Sequence, residues 1–401
     1  MSTERNEGTD QTHNTHTDNT SKSGFSALET LGQINQDHAT YFTYTKEDDT
    51  AVHQLIRYPE VSYQTSFLLK KDDAGIFHSS FAIDNFYFTD RIDEFAVVDP
   101  GKRALFVDVG LFDMCGIDFL DGALELTDTP WSEAEVFLTH FHDDHDGNAR
   151  YCLDKGARRV YIGARPHYDK QMTENFLIMT GFEREGLPEV RFYVERLLKR
   201  SSLFDGYEDR LVVVKSGDMI EVGDRRFEII ETPGHTVEHI SLLERKTGIF
   251  FAGDHILDTA PGLMSFASDL HLLDRFLNNL AYLRSLGLKR VYMCHHDALI
   301  GTEAIDAFLA KIIDGYHRPI DKMHSRVEVN NPLTVFELAK RYYSYLPSWT
   351  DQPPILLSRR TAIAFSYLEY LYDQGKIERR KADDGAYEYW VEPAKDRRRA
   401  A

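Results

Sequence analysis

The sequence predicts an α/β fold followed by a smaller C-terminal unit, on three observations. Short apolar runs rich in β-branched residues alternate with helical patterns from about residue 54 to 310. Several of those runs stop at a histidine or an aspartate. Beyond about residue 325 the pattern becomes two amphipathic helices and a hairpin.

The N-terminal stretch, residues 1–24, is polar and almost free of large apolar side chains. It cannot bury enough surface to offset its ordering entropy and is expected to be a disordered tail, with His13 and His16 as ordinary tail residues. β-like runs follow at 54–57, 65–69, 86–89, 95–98 and 104–109, with turns at Asp72-Asp73-Ala74-Gly75 and Asp99-Pro100-Gly101 between them. The last of these runs carries Asp108 ahead of Gly110. Such an aspartate either orients a metal-binding histidine from behind or serves as a turn residue. A short helix or loop is expected at 115–126, a strand at 131–138, a helix at 148–156 and a strand at 159–162.

Thr139 to Asn148 reads THFHDDHDGN, placing His140, His142, Asp144 and His145 within six positions directly after an apolar run. Alternate side chains of an extended segment share a side, so His140 and His142 can grip one ion while Asp144 and His145 turn towards a second. Imidazole suits zinc and its neighbours, and a carboxylate can reach a further ion. One or two histidines there would read as a polar loop, but four ligand-type residues at this spacing read as a metal site.

Residues 164–210 are helical and richly charged, and are expected to form a solvated surface rather than a lid over the site. Strands resume at 211–214, 219–222 and 226–230, and the last leads into Thr232-Pro233-Gly234-His235-Thr236. Strands at 239–243 and 249–252 follow, the second stopping at Gly253-Asp254-His255. A helix at 269–287 and a strand at 290–293 lead to Cys294-His295-His296-Asp297. In layered α/β folds, sites gather at such strand ends.

The series THFHDDH, TPGHT, AGDH and YMCHHD resembles the metallo-β-lactamase superfamily of hydrolases, over roughly residues 50 to 310. The resemblance implies an αββα sandwich with the metals at one edge. It implies His140, His142 and His235 as ligands of a first ion. Asp144, His145 and a late histidine would hold a second, and Asp254 would bridge the two. The late histidine is expected to be His295, because the run Arg290 to His295 resembles the glyoxalase II version; counting back from Ala298-Leu299-Ile300 gives His296 as the alternative. His239 and His255 flank ligand positions and are expected to pack or support. In the related flavodiiron oxidoreductases a glutamate stands where this chain has His142, so hydrolysis is expected over oxygen chemistry.

The expected cofactors are two divalent ions, zinc first, with manganese or iron also compatible with nitrogen and oxygen ligands. Two such ions share and acidify a water and polarise the substrate oxygen. Asp144 and Asp254 are the expected catalytic carboxylates.

The C-terminal unit is expected from 326 to 401, after a hydrolase domain from 25 to 325. Its helices are placed at 333–345, which Pro332 and Thr334 start, and at 361–374, which Gly375 ends, with a two-stranded wing at 376–381 and 387–391. This resembles a winged-helix module, as in the lactamase-beta-like endoribonucleases. Arg359, Arg360, Arg379, Arg380 and Lys381 give a modest basic patch. With a net charge of -19 the chain as a whole repels phosphate backbones, so nucleic acid is not the favoured partner and a packing role or a homodimer is preferred.

The 401 residues suffice for two domains, and a hydrophobic content of 42% is ordinary for a globular chain. Cys115, Cys152 and Cys294 are widely spaced, which fits a reducing compartment rather than a disulfide framework. No charged-then-apolar leader opens the chain, and no apolar run approaches the ~18 residues of a membrane span, so a cytoplasmic protein without a membrane partner is expected. The functional expectation is dinuclear metal-dependent hydrolysis of an ester, thioester or lactone carbonyl in a small-molecule substrate. RNA hydrolysis is the alternative within enzymes, and a metal-binding sensor or interaction protein the alternative outside them.

Overall fold

Two β-sheets lie face to face with helices on both outer sides. The structure, a computed structural model, describes residues 69–393 apart from 83–90, 112–113, 168–169, 188, 199–200, 259–260 and 347, together with the paired strands Tyr41–Tyr44 and Ala51–Gln54. The expected tail and the expected runs at 55–57, 65–68 and 86–89 fall outside the described residues.

The first sheet has seven strands in chain order, from Lys70–Lys71 through Phe77–Ala82, Arg91–Asp99, Arg103–Val107, Ala134–Phe137 and Arg159–Ile162 to Leu211–Val213. Its pairing is antiparallel up to Arg103–Val107 and parallel beyond it. The second sheet has six strands, Met219–Val222, Arg225–Glu231, Ile240–Glu244, Ile249–Phe251, Arg290–Met293 and His296–Ile300, again in chain order. One pair in it, Ile249–Phe251 with Arg290–Met293, is parallel, and the helix Leu272–Ser285 makes the crossover.

Side-chain alternation along the strands sorts the core into three layers. Phe95, Val97, Leu105, Val107 and Phe137 of the first sheet meet Phe227, Ile229, Leu242, Phe251 and Tyr292 of the second. Phe95 lies against Phe251 and Tyr292 at ring-centre distances of 5.8 and 5.1 Å. The alternate residues Ala96, Ala104, Phe106 and Val136 face outward and pack on the helices Met114–Leu126 and Ala149–Lys155. On the far side, Leu243, Phe250 and Val291 of the second sheet pack under Leu272–Ser285 and Thr302–His324.

That third layer extends into the C-terminal unit. Helices Val335–Tyr342 and Pro354–Asp373 and the three-stranded sheet Leu333–Thr334, Tyr387–Trp390, Glu378–Lys381 contribute Val335, Leu338, Phe365, Leu368 and Tyr389 to one continuous core with Leu280, Leu309 and Phe176. Thr334 caps the first of these helices with a full capping box: its hydroxyl accepts from the Glu337 amide and the Glu337 carboxylate accepts from the Thr334 amide.

Two expectations are corrected and two elements are added. The segment 164–210 is not merely a solvated face, because Phe176, Leu177, Phe182, Val190 and Val194 are buried in that shared core. The second C-terminal helix begins at Pro354 rather than Thr361, with proline at its first turn where no amide bond is lost. Thr302–His324 is an added 23-residue helix, and His296–Ile300 an added edge strand. Among the described residues no helix is long and apolar enough to cross a membrane.

Candidate metal centre

The strand Ala134–Phe137 is buried throughout, and the backbone beyond it is held by the neighbouring strand end. Asp108 follows Arg103–Val107 in a left-handed conformation, φ 56°, which aspartate tolerates better than most residues. Its Oδ1 accepts from the Thr139 amide at 2.8 Å and its Oδ2 from the Thr139 hydroxyl at 2.9 Å. The chain then passes His140 and His142 and winds into the single helical turn Asp143–Asp146, which carries Asp144 and His145 inward.

Three further strand ends converge there. Arg225–Glu231 delivers His235 through a turn closed by the Gly234 amide on the Thr236 carbonyl, 2.9 Å. Ile249–Phe251 delivers Asp254 through Gly253, whose φ is +51° and whose absent Cβ would lie 2.6 Å from the Thr139 hydroxyl and 2.8 Å from His239 Nε2. Only glycine fits there. Arg290–Met293 delivers His295.

Two groups result. In the first, His142 Nδ1 lies 2.9 Å from both His140 Nε2 and His235 Nε2, with Asp254 beside them. The second joins Asp144, His145 and His295. Asp254 stands between them: its Oδ2 is 3.3 Å from His235 Nε2, and its Oδ1 is 3.3 Å from His145 Nε2 and 3.2 Å from His295 Nε2. Asp144 Oδ2 is 3.4 Å from His295 Nε2. The ligand atoms within each group lie within 4.8 Å of one another. His296 is exposed on the next strand, one residue outside both groups.

The metallo-beta-lactamase superfamily sequence pattern matches residues 96–295, a span that takes in every residue of both groups. This chain belongs to the metallo-beta-lactamase superfamily. Hydroxyacylglutathione hydrolase of Hahella chejuensis is 25% identical to it over 166 residues, which is 41% of this chain and 48% of that protein, so the match spans about half the length of that curated relative. Two crystal structures share the fold. A metallo-beta-lactamase family protein from Thermus thermophilus is similar at a TM-score of 0.56 and 19% identity, over 79% of this chain and 99% of that one. A beta-lactamase domain protein from Burkholderia ambifaria is similar at 0.60 and 16%, over 83% and 97%. The αββα layering is therefore that of the superfamily.

The donor set of this superfamily member fits divalent cations. Burial lowers the pKa of His140 well below the ordinary imidazole value and that of His235 to about 3, so both rings offer lone pairs at neutral pH. Three imidazole nitrogens meeting at 2.9 Å around His142 can share at most one proton between each pair, which is the arrangement a cation relieves. Among the described residues, His145 Nε2 and Asp254 Oδ1 are buried with no hydrogen-bond partner of good geometry. Burial alone would raise the Asp254 pKa, but the charges of His295 and His145 override it and hold the carboxyl well below its usual range. Burial likewise lowers the His295 pKa, yet Asp254 and Asp144 lift it to about 9; a proton there occupies the place of a cation.

The surrounding residues answer the remaining expectations. Asp108 Oδ2 lies 2.9 Å from His145 Nδ1, which fits the role of orienting a histidine, while its φ of 56° and its grip on Thr139 fit that of a turn residue as well. The Cys294 thiol donates to the same oxygen at 3.2 Å. His239 pairs with the Thr232 hydroxyl at 2.7 Å and stacks on His140 with ring centres 5.0 Å apart, and buried His255 packs edge-on against Phe276 at 4.7 Å. Both support rather than belong to the two groups. Arg359, on Pro354–Asp373 and expected as part of a basic patch, has Asp144 and Asp254 among the charges that act on it.

Proposed function

We propose that the chain is a dinuclear metal-dependent hydrolase of thioester or ester carbonyls in small molecules. The observation that carries the reading is Asp254, whose two oxygens face two separate ligand groups and so suit a pair of ions rather than one. His140, His142 and His235 would hold the first ion, Asp144, His145 and His295 the second, with zinc the metal best matched to four or more imidazoles. When bound, such a pair acidifies a shared water to near neutrality and polarises the substrate carbonyl oxygen. Asp144, 3.4 Å from His295 Nε2, would take the proton released by the attacking water, and Asp108, 2.9 Å from His145 Nδ1, would keep that ring turned with Nε2 towards the centre.

Likeness to a hydroxyacylglutathione hydrolase supports a thioester as substrate. The C-terminal arginines favour a small molecule over RNA. Arg379 is engaged by Glu369 at 2.8 Å and Asp269 at 3.1 Å, and Arg380 by Glu388 at 2.8 Å. Neutralised in pairs, they leave little of the positive stripe that phosphate backbones require. The winged-helix-like unit is then a wall of the enzyme and not a nucleic-acid reader.

The test is turnover of S-lactoylglutathione by zinc-loaded protein beside His142→Ala. Hydrolysis by the native chain and its loss in the variant are expected. Equal rates with both would remove the reading.

A further inference from the structure

The second ligand group is built across the sandwich. Asp144 and His145 follow a strand of the first sheet, whereas His295 follows Arg290–Met293 of the second. Yet the His295 ring is held from the first sheet as well: its Nδ1 lies 2.7 Å from the carbonyl oxygen of Arg91, the first residue of strand Arg91–Asp99. A carbonyl only accepts, so Nδ1 carries the hydrogen, and Nε2 faces Asp254 and Asp144 at 3.2 and 3.4 Å. Two residues along the same strand, the Asp93 amide donates to the Cys294 carbonyl at 2.6 Å. The start of this strand of the first sheet thus lies along the chain that delivers the last ligand of the second.

The side chain of the same residue tethers that carbonyl. Arg91 sits at a strand end, opposite Ala82, and backbone at such ends frays unless it is tied down. Alternate side chains of a strand share a side, which sets Arg91 beside Asp93. The guanidinium donates to Asp93 Oδ1 at 2.7 Å and to the Ser80 hydroxyl at 3.1 Å. Ser80 is the cross-strand neighbour of Asp93, and its hydroxyl donates to the same carboxylate oxygen. The Asp93 side chain is only 3% exposed, so taking away its cation would leave a buried charge poorly matched. Arg91 also reaches Asp297 Oδ1 at 2.8 Å, two residues past His295, but that carboxylate is 81% exposed and the pair adds little. The buried pair with Asp93 is therefore the one that fixes Arg91.

We propose that Arg91 is a positioning residue for the second ion: its pairing with buried Asp93 holds its own carbonyl against His295 Nδ1 and so aims His295 Nε2 at the centre. The inference rests on the dinuclear reading above. The partner of a ligand's far nitrogen sets the ring's orientation, and its loss typically costs about 10–100-fold in metal affinity. Arg91 acts through His295 and not on the substrate.

The test titrates zinc into metal-free protein against a competing chromophoric chelator. Arg91→Met, which removes the guanidinium and leaves the carbonyl, should weaken one of the two zinc equivalents about tenfold or more and leave the other unaltered. Arg91→Lys keeps a cation near Asp93 and should restore part of the loss. In a His295→Ala background, Arg91→Met should have no further effect on zinc binding, because the ring it aims is gone. Both equivalents weakened alike, neither weakened, or the same loss persisting without His295 would overturn the proposal. Should wild type bind fewer than two zinc ions, the dinuclear reading fails on its own, and proton NMR of the metal-free protein decides this one. The ring proton on His295 Nδ1, identified by its loss in His295→Ala, should shift or vanish in Arg91→Met. A resonance unchanged in that variant, or none in wild type, overturns the proposal.

Discussion

The Asp108 carboxylate accepts from His145 Nδ1 at 2.9 Å while also gripping the hydroxyl of Thr139. One side chain on one strand end thereby fixes both a ring orientation and the loop that carries the neighbouring ligands. Asp108→Asn keeps the shape and the tolerance for positive φ but offers Nδ2 or Oδ1 where an anion stood. Metal affinity at the second site is expected to fall about 10–100-fold. Zinc titration against a competing chromophoric chelator checks this, and unaltered affinity would assign Asp108 to turn formation alone.

His295 and His296 are adjacent, yet one lies within 3.2 Å of Asp254 and the other is exposed on the edge strand. His295→Ala is expected to bind one zinc fewer per chain than the native protein, and His296→Ala the same number. Elemental analysis of dialysed samples separates them. The opposite pattern would move the ligand by one residue.

Thr334 caps Val335–Tyr342 and also packs where Gly181 turns, since a Cβ on Gly181 would come within 3.1 Å of its Cβ. Thr334→Ala should cost about 1 kcal/mol, within the range for lost N-caps. Urea denaturation measures it, and no change in midpoint would mean that the cap is redundant with the packing around it.

His271, at the start of Leu272–Ser285, pairs with Asp373 at the end of Pro354–Asp373, 2.7 Å apart. The Asp373 hydrogen bond raises the His271 pKa above its ordinary 6.5. A histidine stabilised in its charged form adds stability that is fully present below the unfolded value and is lost as pH climbs through the raised folded one. His271→Gln should therefore be less stable than wild type at pH 6 and converge with it in alkaline buffer. Half of the His271 side chain is solvent-exposed, so the difference should stay within about 1 kcal/mol. Thermal melts across that range test the sign; a gap that widens with pH would contradict it.

What could be read in the sequence follows from how far each signal reaches along the chain. A residue two or three positions past an apolar strand is tied to that strand, so His140, Asp254 and the pair His295/His296 were legible from local pattern, and His142, five past Phe137, from its alternate spacing with His140. Within that pair the preference for His295 came from resemblance rather than local pattern, because the geometry depends on how His296–Ile300 folds back along Arg290–Met293 with a register shift between Val291 and Met293. Helix Thr302–His324 carries Ile305, Leu309, Ile312, Tyr316, Ile320 and Met323 on one buried face, a spacing present in the sequence although Pro319 interrupts its hydrogen bonding. Arg359 was visible only as one charge in a run. That Asp144 acts on it follows from helix packing over long sequence separation, which no local pattern encodes.

The outer core beneath the second sheet continues without a seam from Leu280 and Leu309 to Phe365 and Tyr389. The chain beyond residue 325 is thus no detachable accessory. Cutting it away would strip the covering from Phe176, Leu309 and Phe182 and leave an aggregation-prone remnant rather than a smaller stable fold. Grafting a different tail onto this scaffold would likewise require redesigning the helices beneath it, so both parts are constrained to change in concert.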